Sequence, residues 1–111
     1  MNEEYCMVIT TVSGREEAES LAEGILDNRL AACIQMIAIR SFFLWEGELQ
    51  RETEVLLLIK TTVARYAALE AYISEYHPYD VPEIIRIPVT AGLSGYLAWL
   101  GSATSGPSGL P

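Results

Sequence analysis

The sequence predicts an α+β fold: a four-stranded antiparallel sheet with two helices on one face, in the order β-α-β-β-α-β, and a further helix near the C-terminal end. Three observations predict it. Apolar, β-branched runs alternate with segments of helical periodicity. A Glu46-Gly47 turn signal separates two unusually long extended segments and makes them a hairpin. A loop punctuated by Pro78 and Pro82 divides the second helical segment from the last strand.

Residues 5–12 read as a strand that ends at Ser13-Gly14. Ser13 with Glu16 three positions on has the pattern of a capping box, so a helix is expected to start there. Ala18, Leu21, Ala22, Ile25 and Leu26 then fall on one helical face, and Asp27-Asn28-Arg29 ends the helix. Residues 30–45 are too long for an ordinary strand and predict one bent strand, or a strand pair, with a bulge near residues 38–40. Residues 48–61 return from the turn. Their first half is polar and is expected to project beyond the core. Val55, Leu56, Leu57, Leu58 and Ile59 are continuously apolar, which predicts a central strand buried on both faces. This overshoot suggests an arm that pairs with a neighbouring subunit.

Thr62 is placed to cap a second helix carrying Tyr66, Leu69, Tyr72, Ile73 and Tyr76 at spacings of three and four. Residues 77–83 form a loop, because two prolines forbid a continuing helix or ladder. Residues 84–89 make the last strand, with Ile85, Ile87 and Val89 on one face and Pro88 marking an edge. A short helix starts at Ser94 and carries Tyr96, Leu97, Trp99 and Leu100. Residues 1–100 therefore form one domain, and the Gly/Ser/Pro-rich stretch 101–111 reads as a flexible tail. The element order is the split βαβ, or ferredoxin-like, arrangement, which leaves one sheet face bare.

A chain of 111 residues buries only a modest core, yet half of its residues are hydrophobic. The surplus apolar surface, added to a bare sheet face, predicts a compact homo-oligomer. The net charge of −8 repels phosphates and anionic headgroups, and no basic run occurs, so nucleic-acid binding is not expected. No stretch is long and apolar enough to span a bilayer, and the opening Met1-Asn2-Glu3-Glu4 is acidic where a secretory signal is basic. A cytoplasmic location with Cys6 and Cys33 as free thiols is the expectation.

Chemistry-bearing residues are sparse. There is no phosphate-binding glycine loop, nucleophile elbow, C-x-x-C or H-E-x-x-H pattern, so no enzymatic activity is expected. His77, Tyr79, Asp80 and Glu83 form the densest polar cluster. An imidazole with carboxylates suits a divalent metal of the zinc or copper kind, with His77 and Glu83 as ligands. Equally, His77 can finish the preceding helix and Glu83 can pair with a lysine such as Lys60. Lys60 either surfaces at its strand end or meets a carboxylate in a pocket, Cys33 reads as a small hydrophobe, and Trp45 and Trp99 as core or interface anchors.

Leu30-Ala31-Ala32-Cys33, Trp45-Glu46-Gly47, Leu58-Ile59-Lys60-Thr61, His77-Pro78-Tyr79 with Val81-Pro82-Glu83-Ile84, and Gly95-Tyr96-Leu97-Ala98-Trp99-Leu100 occur in this order. Together they resemble the CutA family of divalent-cation tolerance proteins, over nearly the whole chain except the tail. The resemblance implies a cytoplasmic homotrimer similar in architecture to PII signalling proteins, with the long hairpin strands pairing between subunits. It also implies tolerance of divalent cations and a link to Cu2+. Thr10 and Tyr76 stand where some relatives carry a cysteine and a second histidine. Cys33, Trp45, Glu54, Lys60 and Tyr79, with His77 and Glu83, are expected to line a pocket between subunits. Three functions follow as expectations: a metal-associated trimer, a PII-like trimer that binds a small molecule, or a purely structural trimer.

Overall fold

The structure, a computed structural model, describes residues 4–105. In chain order it contains β1 (Tyr5–Val12), α1 (Arg15–Asp27), β2 (Cys33–Trp45), β3 (Glu48–Thr62), α2 (Val63–Tyr76), β4 (Ile85–Pro88) and α3 (Ser94–Thr104). The four strands form one antiparallel sheet in the order β2-β3-β1-β4. This is the predicted α+β arrangement.

The sequence signals for helix ends are met by different contacts from those expected. Gly14, not Ser13, is the N-cap of α1, and no side chain caps it. The capping box does not form. Glu17 folds its carboxylate back over Gly14 instead, where the open N–H groups and the positive end of the helix dipole favour it. At the other end Arg29 takes a left-handed φ of 55°. Arg29 N–H then donates to the Leu26 carbonyl at 3.0 Å and Leu30 N–H to that of Ile25 at 3.0 Å, a Schellman closure. Asn28 Nδ2 donates to the Gly24 carbonyl at 2.9 Å as well. Thr62 is the N-cap of α2 but makes no side-chain cap bond.

The β2–β3 ladder runs from Cys33 opposite Lys60 to Trp45 opposite Glu48 with no extra residue on either side. The expected bulge at residues 38–40 is absent. Glu46 and Gly47 both have positive φ, 52° and 81°, the signature of a two-residue type I′ turn whose twist matches the strands and locks their register. The polar residues Arg40 and Ser41 mark where the hairpin leaves the helices behind, rather than a break in pairing. Phe42, Leu44, Trp45 and Leu49 are exposed along this arm, and it stretches the molecule to 44 Å.

Pairing also fixes the faces. Cys6, Val8 and Val12 on β1 with Leu57 and Ile59 on β3 point towards α1 and α2 and form the core with Ile25, Leu69 and Ile73. Met7, Ile9, Leu56, Leu58, Ile37, Ile85 and Ile87 lie on the opposite face. There Ile37 and Ile85 keep 46% and 47% of their surface exposed, so within one chain β3 is buried on one face only. Helix α3 covers one end of this open face, with Lys60 Nζ 5.8 Å from the Tyr96 ring centre. It continues through residues 101–104, which the composition had assigned to a tail. Arg65 Nε donates to the Thr104 carbonyl at 2.7 Å, and this contact overrides the weak helix propensity of Gly101-Ser102. Residues 106–111 of the expected tail lie outside the described residues.

Two buried threonines in the core differ. Thr61 Oγ1 donates to the Leu30 carbonyl at 2.7 Å and ties the α1–β2 connection to the sheet. Thr10, fully buried opposite Leu57, has no partner for its hydroxyl.

Candidate functional site

The end of α2 builds the site. His77 closes the helix with its backbone N–H bonded to the Ile73 carbonyl at 2.8 Å, and Pro78 prevents another turn. The chain then crosses the end of the sheet beside β1. The His77 ring is buried between β1 and the loop. Its Nε2 lies 2.7 Å from the Thr11 carbonyl oxygen, and its Nδ1 accepts the Tyr79 N–H at 3.1 Å. A carbonyl only accepts and an N–H only donates, so this network assigns the proton to Nε2. Both ring nitrogens are engaged in holding the loop to β1.

Tyr79 continues that anchoring. Its ring meets His77 edge-on with centroids 4.7 Å apart, and its hydroxyl donates to Glu54 Oε2 at 2.8 Å. Burial raises the Tyr79 phenol, and the Glu54 hydrogen bond and charge raise it further, to about 12 from an ordinary value of 10.0. The β3 register places Glu54 on the open face, opposite Ile39. Loop, arm and sheet together enclose a cleft of about 640 Å³ lined by Thr11, Phe43, Trp45, Glu54, Asp80 and Glu83, among others. Three carboxylates and four aromatic residues line it, and no lysine or arginine is among its lining residues.

The predicted site residues separate into three groups. Trp45, Glu54, Tyr79 and Glu83 line the cleft within one protomer. Cys33 and Lys60 form a directly opposed pair at the other end of β3, about 20 Å away at roughly 3.3 Å per residue, so one protomer does not bring them to the cleft. His77 supports the loop from beneath and does not line the cleft that Glu83 lines. The Glu83–Lys60 pairing is not formed; an ion pair joins Arg15 to Glu19 on α1. Cys6 is a buried core residue and Cys33 a half-buried free thiol.

Sequence reasoning did not single out Thr11 and Phe43, both strand residues indistinguishable from packing positions until the loop folds over them. Asp80 was visible within the polar loop cluster. As a metal centre the protomer is incomplete. Among the described residues no three His, Cys, Asp or Glu side chains converge on a common point, and His77 has no free nitrogen to offer.

Comparison with known proteins agrees with the fold and the motif order. The family model described as CutA1 divalent ion tolerance protein matches residues 6–103. The divalent-cation tolerance protein CutA of Pectobacterium atrosepticum is 38% identical over 98 residues, covering 87% of this chain and 89% of that protein. The chloroplastic CutA protein of Arabidopsis thaliana is 40% identical over 99 residues, 88% of this chain; the chain spans about half, 54%, of that longer relative. The solved structure of CutA from Synechococcus elongatus superposes with a TM-score of 0.90 at 36% identity, covering 94% of this chain and 93% of that one. A matching family model over nearly all the described residues, and relatives at this identity, establish that the chain belongs to the CutA1 divalent ion tolerance family.

Proposed function

We propose that the chain acts as a non-catalytic homotrimer in the cytoplasmic response to divalent cations, with the cleft between the β2–β3 arm and the α2–β4 loop as its ligand site. The observation that carries this reading is the half-built state of one protomer. Its apolar sheet face is open, its aromatic arm extends beyond the core, and its cleft has donor groups on too few sides. Closed symmetry covers such a face with identical copies. The names of the family and of the relatives supply the divalent-cation role.

The residues of a single protomer do not fit a bound Cu2+ or other metal ion, for the geometric reasons above. A cation is held only where Glu54, Asp80 and Glu83 of one protomer meet donor groups of another. Carboxylates favour oxygen-preferring divalent ions, and without a thiolate or free imidazole copper binds weakly. The aromatic walls and the volume, which lies in the range of small-ligand sites, support the PII-like alternative of an organic ligand at the same place.

Sedimentation and calorimetry test both parts. The expected particle is about 37 kDa, three times the 12.3 kDa chain, and a folded 12 kDa species at micromolar concentration overturns the assembly. Glu83→Gln is expected to weaken Cu2+ or Zn2+ binding at least fivefold without changing the sedimentation. Unaltered affinity removes the cleft as the cation site.

A further inference from the structure

A second groove, of about 400 Å³, lies on the helical layer, on the other side of the sheet from its open face. Glu16, Glu17 and Ser20, on the first turns of α1, form one lip; Tyr72 and Tyr76, one turn apart on α2, form the other; Pro78 closes the end. An assembly that covers the open sheet face leaves this groove accessible.

Its chemistry is unlike that of an ordinary solvated seam between helices. Tyr72 and Tyr76 hold their rings 4.6 Å apart at 40°, and Tyr76 leaves 61% of its surface exposed. The seating of Tyr72 has a structural cost. Gly24 sits in the interior of α1, where glycine costs about 1 kcal/mol relative to alanine. A Cβ at that position would collide with the Tyr72 hydroxyl and ring. The helix gives up a side chain so that this tyrosine can lie against it. Two aromatic faces thus stand opposite two carboxylates, with no lysine or arginine among the lining residues.

Aromatic faces attract cations with low hydration, and carboxylates neutralise them. A strongly hydrated divalent ion gains little from tyrosine faces. An anion is repelled by Glu16 and Glu17, and by a chain of net charge −8. We propose that this groove binds a small organic cation: a guanidinium or alkylammonium group carried on a short apolar body that packs against the tyrosine pair.

Titration of the full chain with argininamide, followed by amide and aromatic NMR shifts, tests this. Magnesium chloride at matched ionic strength is the control. Saturable shifts are expected at Glu16, Glu17, Ser20 and the Tyr72 and Tyr76 rings, with no matching response to magnesium. Tyr76→Phe keeps the aromatic face and is expected to bind within twofold of wild type. Tyr76→Ala is expected to weaken binding by about two- to fivefold, the range of an exposed cation–π contact. Glu16→Gln with Glu17→Gln is expected to weaken it further and flatten its salt dependence. Position 76 is exposed, and circular dichroism of each variant verifies that α1 and α2 persist. No saturable shift at these residues, or equal affinity in wild type, Tyr76→Ala and the double Gln variant, overturns the proposal. The sedimentation and metal titrations above are independent of either result.

Discussion

Replacing Thr10 with valine should stabilise the protein. Thr10 is fully buried in β1, between Val8 and Val12 on the helix-facing side, and its hydroxyl has no hydrogen-bond partner. A buried polar group left unpaired costs roughly 1–3 kcal/mol relative to one that is satisfied. Valine keeps the branched shape and removes the hydroxyl, so a gain of about 1–2 kcal/mol is expected. For a domain near 100 residues each kcal/mol raises Tm by about 4–8 °C. Thr10→Ser provides the complementary arm: it retains the hydroxyl and deletes a core methyl, which should cost about 1 kcal/mol. Thr10→Cys should fall between valine and threonine. Guanidinium unfolding at one fixed protomer concentration measures the series, because assembly adds a concentration-dependent term. The midpoints should rank valine, cysteine, threonine, serine at constant slope. If valine proves less stable than threonine while serine matches it, the hydroxyl is satisfied in the native state and the reasoning fails.

Three further outcomes follow from the loop and the helix end. The folded Tyr79 phenol, at about 12, holds its proton more tightly than the unfolded side chain at 10.0. Its stabilising contribution is therefore complete below pH 10 and is lost as pH rises towards 12. Tyr79→Phe should flatten that interval of the stability–pH curve and lower stability at pH 8 by about 1 kcal/mol; parallel curves for the two proteins would mean that the Glu54 contact is not made. His77→Ala leaves the Thr11 carbonyl and the Tyr79 N–H without their partner and should cost about 2–4 kcal/mol by urea unfolding, an effect present without any metal. Arg29→Gly relieves a left-handed backbone at the Schellman position and should add about 1 kcal/mol, read as a raised Tm; a lowered Tm would show that the arginine side chain contributes more than its backbone costs.

Element order, the hairpin and the apolar core were legible because their signals are local and strong. The 3–4 spacing of Leu21 and Ile25, the run Val55 to Ile59 and the Glu46-Gly47 turn each admit few alternatives. Where reading and structure part, a contact distant in sequence has decided. Arg65 extends α3 through Thr104 from 39 residues away. The α1 start lies at Gly14 with no side-chain cap and with the Glu17 carboxylate nearby, where the Ser13–Glu16 spacing suggests a capping box. The site was half legible for the same reason. Residues 77–83 announce a fixed polar loop, but only the fold shows that it crosses β1. That crossing turns His77 from a candidate ligand into the bond that holds the loop down, and brings Glu54 under Tyr79. Cys33 and Lys60 were grouped with the cleft through the family pattern, and antiparallel register places them at the opposite end of the same strands.

The arm connects assembly to whatever the cleft holds. Beyond Val55 the hairpin has no helix beneath it, and a two-stranded ribbon alone is marginal in water. This ribbon supplies Phe43 and Trp45 to the cleft wall, while the loop that supplies Asp80 and Glu83 is pinned to β1 through His77 and reaches the arm through the Tyr79–Glu54 bond. One wall is held to β1 by His77, and the other extends from the sheet with its aromatic residues exposed. On the trimeric reading, the contacts that cover Ile37, Ile85 and Ile87 also order the arm, so ligand binding and assembly share one conformational cost and must be reciprocally coupled. A cation or small molecule that occupies the cleft should then lower the protomer concentration at which the complex dissociates. A change confined to the open face, such as Ile37→Asp, should weaken that ligand without touching a cleft residue. Sedimentation with and without ligand, paired with ligand titration of the variant, reads both directions of the same coupling. Full affinity in a dissociated Ile37→Asp protomer would show that the arm is ordered without its neighbours.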